Sequence, residues 1–238
     1  MIVEYNLKVS RIYYFPFIKG KEEKKKGKEM NADMNTVRLL GAAQVMVIVC
    51  FFITEGLFAS VVGSGSISDI LVNISQNLNR VRISNLFSLG QTLVIIVMGV
   101  LYYVVFYKEY KIIALVALGC FLVAAISIVV GKIAVNALIP LSQEFVEAGA
   151  PESSYFQTQG SILYFGIDRR VNELNTFFTS LGFLLANYLL YISKSIPRPI
   201  SIFGLVAICL LVIYQMLQLY DPEFLPGASI LAIPYVPF

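Results

Sequence analysis

Residues 112–139 read IIALVALGCFLVAAISIVVGKIAVNALI, an almost unbroken apolar run whose one charge is Lys132. A helix of about 20 apolar residues crosses the hydrocarbon core of a bilayer, so this run is long enough to span a membrane. Four comparable runs occur elsewhere in the chain, and the first of them carries Glu55. Because charges are costly inside such helices, each of these two residues is a candidate for a functional role.

The composition excludes several classes of protein. Of the 238 residues, 58% are hydrophobic and 14% charged, whereas a soluble domain has about 45–50% apolar and about 25% charged residues. The chain has no histidine, so it lacks the usual near-neutral proton shuttle and any Ser-His-Asp or Cys-His catalytic arrangement. Its three cysteines stand singly in separate apolar runs. We therefore expect no metal, no cofactor and no nucleic-acid partner.

The apolar runs predict an all-α fold, a polytopic bundle of transmembrane helices. A sixth apolar segment begins near Leu225 and has about 14 residues before Phe238, too few to cross a bilayer. We expect it to be either re-entrant or the beginning of a truncated sixth helix. The five full spans are placed at Leu39–Val62, Leu86–Tyr107, Ile112–Ile139, Leu174–Ser193 and Ile200–Tyr220.

Residues 1–38 differ from the bundle, which occupies residues 39–238. Six lysines between Lys19 and Lys28 alternate with glutamates. This pattern predicts a disordered charged tail, with binding to anionic lipid headgroups as the alternative. The Lys/Arg bias of the loops places the N-terminus in the cytoplasm of a multi-pass plasma-membrane protein.

Two of the outer loops are long enough to contain amphipathic helices. Apolar residues recur at helical spacing within residues 64–85, which predicts a helix lying on the membrane surface. In the other loop, a break at residues 148–151 is followed by Ser153 or Ser154 as a possible helix cap. The helix that follows could run into the fourth span or kink near Gly166.

Polar residues gather in the outer half of the predicted bundle. Counting at 1.5 Å per residue, Glu55 lies about 24 Å and Lys132 about 30 Å above the inner boundary. Gln91, Asn136 and Gln215 fall in the same half. These five residues predict an outward-facing polar pocket with Glu55 and Lys132 as its charged floor. Alternatively, Lys132 extends to the interface, Glu55 is protonated or solvated, and neither has a function.

The polar residues leave three kinds of function open. A non-enzymatic structural or ligand-binding protein fits best, with membrane lipids, unidentified subunits or further copies of the chain as partners. A small-molecule transporter is a second possibility, although the sequence shows no internal repeat and no proline within the five full spans. The third is an intramembrane enzyme that acts on a lipid or an exported substrate through Glu55, Glu144 or Glu147, but no residue is assigned as catalytic.

Two stretches resemble the hallmark sequences of a known family. One is Leu141–Pro151 followed by Tyr155-Phe156-Gln157, and the other runs from Asn187 through Ile196-Pro197-Arg198 to Gly204. Both are similar to the prokaryotic multi-pass membrane proteins called domain of unknown function 4386, over about residue 35 to the C-terminus. The resemblance implies a six-helix membrane bundle and no established activity.

Overall fold

The computed structural model describes residues 34–151, 155–195 and 197–220, and every regular element in these ranges is helical. Most of the charged tail and the segment after Leu225 lie outside the described residues, as do Ser153 and Ser154. The helices are α1 (Met34–Val62), α2 (Ile67–Gln76), α3 (Leu78–Glu147), α4 (Tyr155–Ser161), a π-helix (Ile162–Asp168), α5 (Arg169–Ile192) and α6 (Arg198–Tyr220).

Helix α3 is two antiparallel legs joined at Tyr110, whose backbone angles (φ −130°, ψ 42°) are not helical. Residues at similar distances along the chain on either side of this point meet. The rings of Tyr102 and Phe121 lie 5.9 Å apart, and the Asn85 side-chain nitrogen donates to the Asn136 oxygen at 2.9 Å. The reversal occurs between the second and third predicted spans. The legs are residues 78–109 and 111–147.

Three helices are long and apolar enough to cross a membrane in the part of the chain that the structure describes. They comprise residues Asn35–Val62, Leu78–Glu147 and Arg198–Leu217, and each leg of α3 alone exceeds the about 20 residues that a crossing requires. Helix α5 is not among them; its first turns carry Arg169, Arg170 and Glu173. The chain is thus an all-helical protein with membrane-spanning character.

The N-terminal part of α1 packs near the Tyr110 turn, and its C-terminal part packs near α2. We call the end of the bundle at the Tyr110 turn proximal and the end at α2 distal. The core of the proximal half is centred on Phe121, which is fully buried between Tyr102 and Phe183. A Cβ atom at Gly182 would lie 2.8 Å from the Phe121 ring. Helix α5 therefore approaches α3 closely because residue 182 has no side chain.

The predicted amphipathic helix in the first loop exists as α2, but it does not expose its apolar face to the membrane surface. Ile70, Leu71 and Ile74 are at most 2% exposed and pack against the distal part of α3. The Ser66 and Asp69 side chains bond to each other's backbone N–H in a capping box that fixes the start of the helix. Periodicity identified the apolar face, and the bundle rather than lipid covers it.

The second loop contains α4, which continues through the π-helix into α5 without interruption. The segment is helical up to the fourth predicted span, and Gly166 lies inside the π-helical part of it. Helix α4 is held to α2 by a 2.7 Å hydrogen bond from the Gln157 amide to the Ser68 hydroxyl. Gly160 allows the side chains of Ile67 and Leu71 to pack directly on its backbone.

Candidate functional site

A cavity of about 210 Å³ lies in the distal half of the bundle, and Glu55, Gln91 and Lys132 line it together. These residues come from α1, the first leg of α3 and the second leg. We call this space the distal cavity; it is lined by Phe51, Thr54, Glu55, Phe58, Ser88, Gln91, Ser127, Ile128, Gly131, Lys132, Tyr164, Asp168, Arg169, Asn172 and Asn175.

Helical spacing explains how each element contributes a wall. On α1, Thr54 and Phe58 are four residues apart and therefore lie on one face. Ser88 and Gln91 are three apart on the first leg of α3, and Ile128 and Lys132 are four apart on the second leg. The polar residues thus converge because packed helices turn these faces toward one another.

The fourth wall is the π-helix, which sequence reasoning did not foresee. Its wider turn is seen where the Arg169 N–H donates to the Tyr164 carbonyl, five residues back. Tyr164, Asp168 and Arg169 all line the cavity. Because π-helical turns are rare and occur frequently at functional sites, this distortion supports a role for the cavity.

Asp168 is the most enclosed charged group of the cavity, at 9% exposed. A Cβ atom at Gly131 would lie 3.2 Å from its Oδ1 atom, so the glycine leaves room for the carboxyl group. Asp168 precedes the fourth predicted span. Burial raises the pKa of its carboxyl from 3.8 to about 6; the charge of Lys132 lowers this pKa, and that of Glu55 raises it.

The charged residues of the cavity share a space without forming direct pairs. The Lys132 ammonium lies 5.0 Å from the centre of the Phe58 ring, a distance at which the ring face attracts a cation. Among the described residues, neither Glu55 nor Asp168 lies within 4.0 Å of the Lys132 or Arg169 nitrogen atoms. The sequence predicted that Glu55 and Lys132 form the charged floor of one pocket; in the structure the two residues line one cavity and form no ion pair.

One hydroxyl group of the cavity wall lacks a partner in the described part of the chain. Ser88 donates to the Ser84 carbonyl at 2.9 Å, and Ser84 donates to the Thr54 carbonyl at 3.2 Å. Thr54 lines the cavity and is 2% exposed, but its own Oγ1 atom makes no hydrogen bond. Because this atom has almost no accessible surface, it is packed against protein and offers no contact to a molecule in the cavity.

The other two predicted site residues do not reach the cavity. The Asn136 side chain is exposed and accepts the hydrogen bond from Asn85 that links the two legs of α3. Gln215 is buried on α6, which within the described ranges packs against α5 and not against α1 or α3. The hydropathy pattern placed the five predicted site residues in the same half of the membrane, but it does not give the order of the helices around the bundle. It therefore could not separate Gln215 from the others.

Helices α1 and α5 both contribute residues to the wall of the cavity, and we call the space that separates the two helices the gap. Each packs on α3, but within the described residues their backbones do not approach each other. Phe51 on α1 is 43% exposed, and Arg169 and Asn172 on the opposite side are also exposed. The distal cavity is therefore accessible from the flank of the bundle.

The groups around the cavity are mostly charged or polar. They include carboxylates, cations and amides, which can hold a polar molecule by charge and hydrogen bonds. Glu144 and Glu147, the other acids considered for catalysis, are exposed at the distal end of α3 and do not line the cavity. The Ser127 hydroxyl donates to the Val123 carbonyl and is not paired with a base.

Comparison with known proteins gives one match. No curated protein and no solved structure is significantly similar to the chain. The sequence profile of one family, described as domain of unknown function (DUF4386), matches residues 39–237, which cover the whole described bundle from the first apolar run onward. The protein therefore belongs to the DUF4386 family.

Proposed function

We propose that the protein is a non-enzymatic, multi-pass plasma-membrane protein that binds a polar molecule in the distal cavity. Five helical segments cross the bilayer: α1, the two legs of α3, α5 and α6. A sixth segment follows them, the N-terminus lies in the cytoplasm, and the distal cavity lies toward the outside. The observation that carries the proposal is the meeting of Glu55, Gln91 and Lys132, from three separate membrane segments, around one space.

A bundle with a purely structural role would not require charged residues from several helices to line one cavity. Charges in low dielectric are stabilised by direct contact with an opposite charge, and even then pairing does not guarantee net stability. In the distal cavity the carboxylates and cations stand apart, and an aspartate is enclosed beside a glycine that leaves it room. Groups held apart in this way are available to a ligand.

Native mass spectrometry of the gently purified protein tests the proposal, with two glycine variants as a matched pair. Gly131→Leu places a side chain in the cavity against Asp168, whereas Gly119→Leu adds the same side chain to the same leg at an exposed site with nothing within 4 Å. We expect wild type and Gly119→Leu to retain a bound small molecule or lipid and Gly131→Leu to lose it. The proposal fails if folded Gly131→Leu retains the same bound mass, or if folded wild type carries none.

A further inference from the structure

The opening of the distal cavity indicates where its ligand comes from. The gap between α1 and α5 is bordered by exposed lining residues, Phe51 on α1 and Arg169 and Asn172 on α5. In a bilayer, we infer, this flank of the bundle faces lipid. The exposed ring of Phe51 stands at this opening. A molecule could therefore enter sideways from the bilayer without crossing the packed cluster of α2 and α4 at the distal end.

The level of the charges points to the headgroup region. Lys132 is 20 residues above Ile112, which corresponds to about 30 Å along a helix. The hydrocarbon core of a bilayer is also about 30 Å thick. Lys132 and its neighbours are thus at the height of phospholipid headgroups, while the apolar proximal half lies at the height of the acyl chains.

The charges of the cavity are balanced and separated. Glu55 and Asp168 supply two carboxylates, and Lys132 and Arg169 supply two cations, with no direct pair among them in the described chain. An anionic ligand would leave the carboxylates unpaired, and a cationic ligand would leave the cations unpaired. A ligand that carries both charges satisfies both sets.

The size of the cavity fits a headgroup rather than a large molecule. Pockets for drug-sized ligands have volumes of about 300–1,000 Å³, and the distal cavity, at about 210 Å³, is smaller. A phosphate linked to a short amine is compact enough, and the attached acyl chains would remain in the bilayer outside the gap.

We propose that the distal cavity binds the headgroup of a zwitterionic phospholipid with a primary ammonium, entering between α1 and α5. The phosphate lies toward Lys132 and Arg169, and the ammonium donates hydrogen bonds to Glu55 and Asp168. This inference rests on the proposed function and adds the class of ligand and its route. A primary ammonium is preferred over a quaternary one because only the former donates hydrogen bonds to carboxylates.

The test is lipid competition measured by native mass spectrometry of the purified full chain. Phosphatidylethanolamine, phosphatidylglycerol and phosphatidylcholine with identical acyl chains are offered at equal concentration. We expect phosphatidylethanolamine to be retained about tenfold over the other two, the effect of one charge-assisted hydrogen bond. Glu55→Gln should remove most of this preference, and Lys132→Met should weaken the retention of all three lipids. Glu144→Gln, an exposed acid on the same bundle end, is the control and should match wild type.

The outcomes separate this inference from the proposed function. If phosphatidylglycerol is retained as well as phosphatidylethanolamine, the preference for a zwitterionic headgroup is overturned. If phosphatidylcholine is retained as well, the preference for a primary ammonium is overturned. Competition by soluble phosphoethanolamine as effective as that by the lipid would overturn entry from the bilayer. In each of these cases binding that is lost in Gly131→Leu would still support a ligand site. Selectivity that persists in folded Glu55→Gln would place the lipid elsewhere and overturn the inference.

Discussion

The contact between Gly182 and Phe121 makes a quantitative prediction about the stability of the bundle. In Gly182→Ala, the new Cβ atom would lie 2.8–3.0 Å from three atoms of the Phe121 ring, whereas carbon atoms pack best at about 3.5–4.0 Å. Tyr102 and Phe183 contact the same ring, and Phe121 is fully buried. The ring therefore cannot move away freely. Overpacking of this kind lowers the free energy of unfolding by about 1–3 kcal/mol.

A second alanine variant isolates this steric effect. Alanine is a better helix former than glycine by about 1 kcal/mol, which by itself would stabilise Gly182→Ala. Gly119→Ala makes the same exchange in a helix, at an exposed site with open space around it, so it reports the helix-forming gain alone. We expect Gly182→Ala to be less stable than Gly119→Ala by about 1–3 kcal/mol.

The assay is unfolding in mixed micelles followed by helical circular dichroism. Phe121→Leu provides a further check, because a smaller side chain opposite residue 182 should remove much of the clash. The Gly182→Ala change should therefore be less destabilising in the Phe121→Leu background than in wild type. Equal stability of Gly182→Ala and Gly119→Ala would refute the close packing of α5 on α3.

Three further predictions concern the cap of α2, the topology and the charge of the cavity. Ser66→Ala removes the hydroxyl that accepts from the Asp69 N–H and should lower stability by about 1 kcal/mol, while Ser64→Ala should have little effect; denaturation curves of both variants check this. Single cysteines introduced at Lys111 and Ser64 should be labelled by an impermeant reagent from opposite sides of the membrane, and labelling from the same side would contradict the proposed topology. Because the folded pKa of Asp168 is raised to about 6, its ionisation destabilises the fold as pH rises from about 3.8 to about 6. Ligand-free Asp168→Asn should therefore be more stable than wild type at pH 7.5, by at most about 3 kcal/mol, and lose that advantage below about pH 4; a pH series of melts that shows no such change would refute it.

Local signals in the sequence were sufficient for the helices and for the reversal within α3. The charged and aromatic residues between Tyr107 and Ile112 interrupt the apolar pattern, and Tyr110 is where the backbone leaves the helix. The depth of Glu55, Gln91 and Lys132 in the membrane could also be predicted by counting residues along each span. Their meeting in the distal cavity was predictable to that extent.

Non-local packing decided what the sequence could not. Asp168 and Arg169 lie before the fourth predicted span, and nothing in their local pattern shows a π-helix that brings them to the cavity. Gln215 was included because its predicted depth in the membrane matched that of the other four residues, but in the part of the chain that the structure describes α6 packs only on α5. The apolar face of α2 was recognised, whereas its cover depends on how α3 continues beyond the cavity.

An experimental structure of the protein in native lipid, determined by cryo-electron microscopy with a bound antibody fragment, tests the polar cavity most directly. We expect the gap between α1 and α5 to remain open and non-protein density to lie between Lys132 and the carboxyl groups of Glu55 and Asp168. A closed, empty distal half in which Lys132 pairs directly with Glu55 or Asp168 would contradict ligand binding there. It would leave the protein with a structural role.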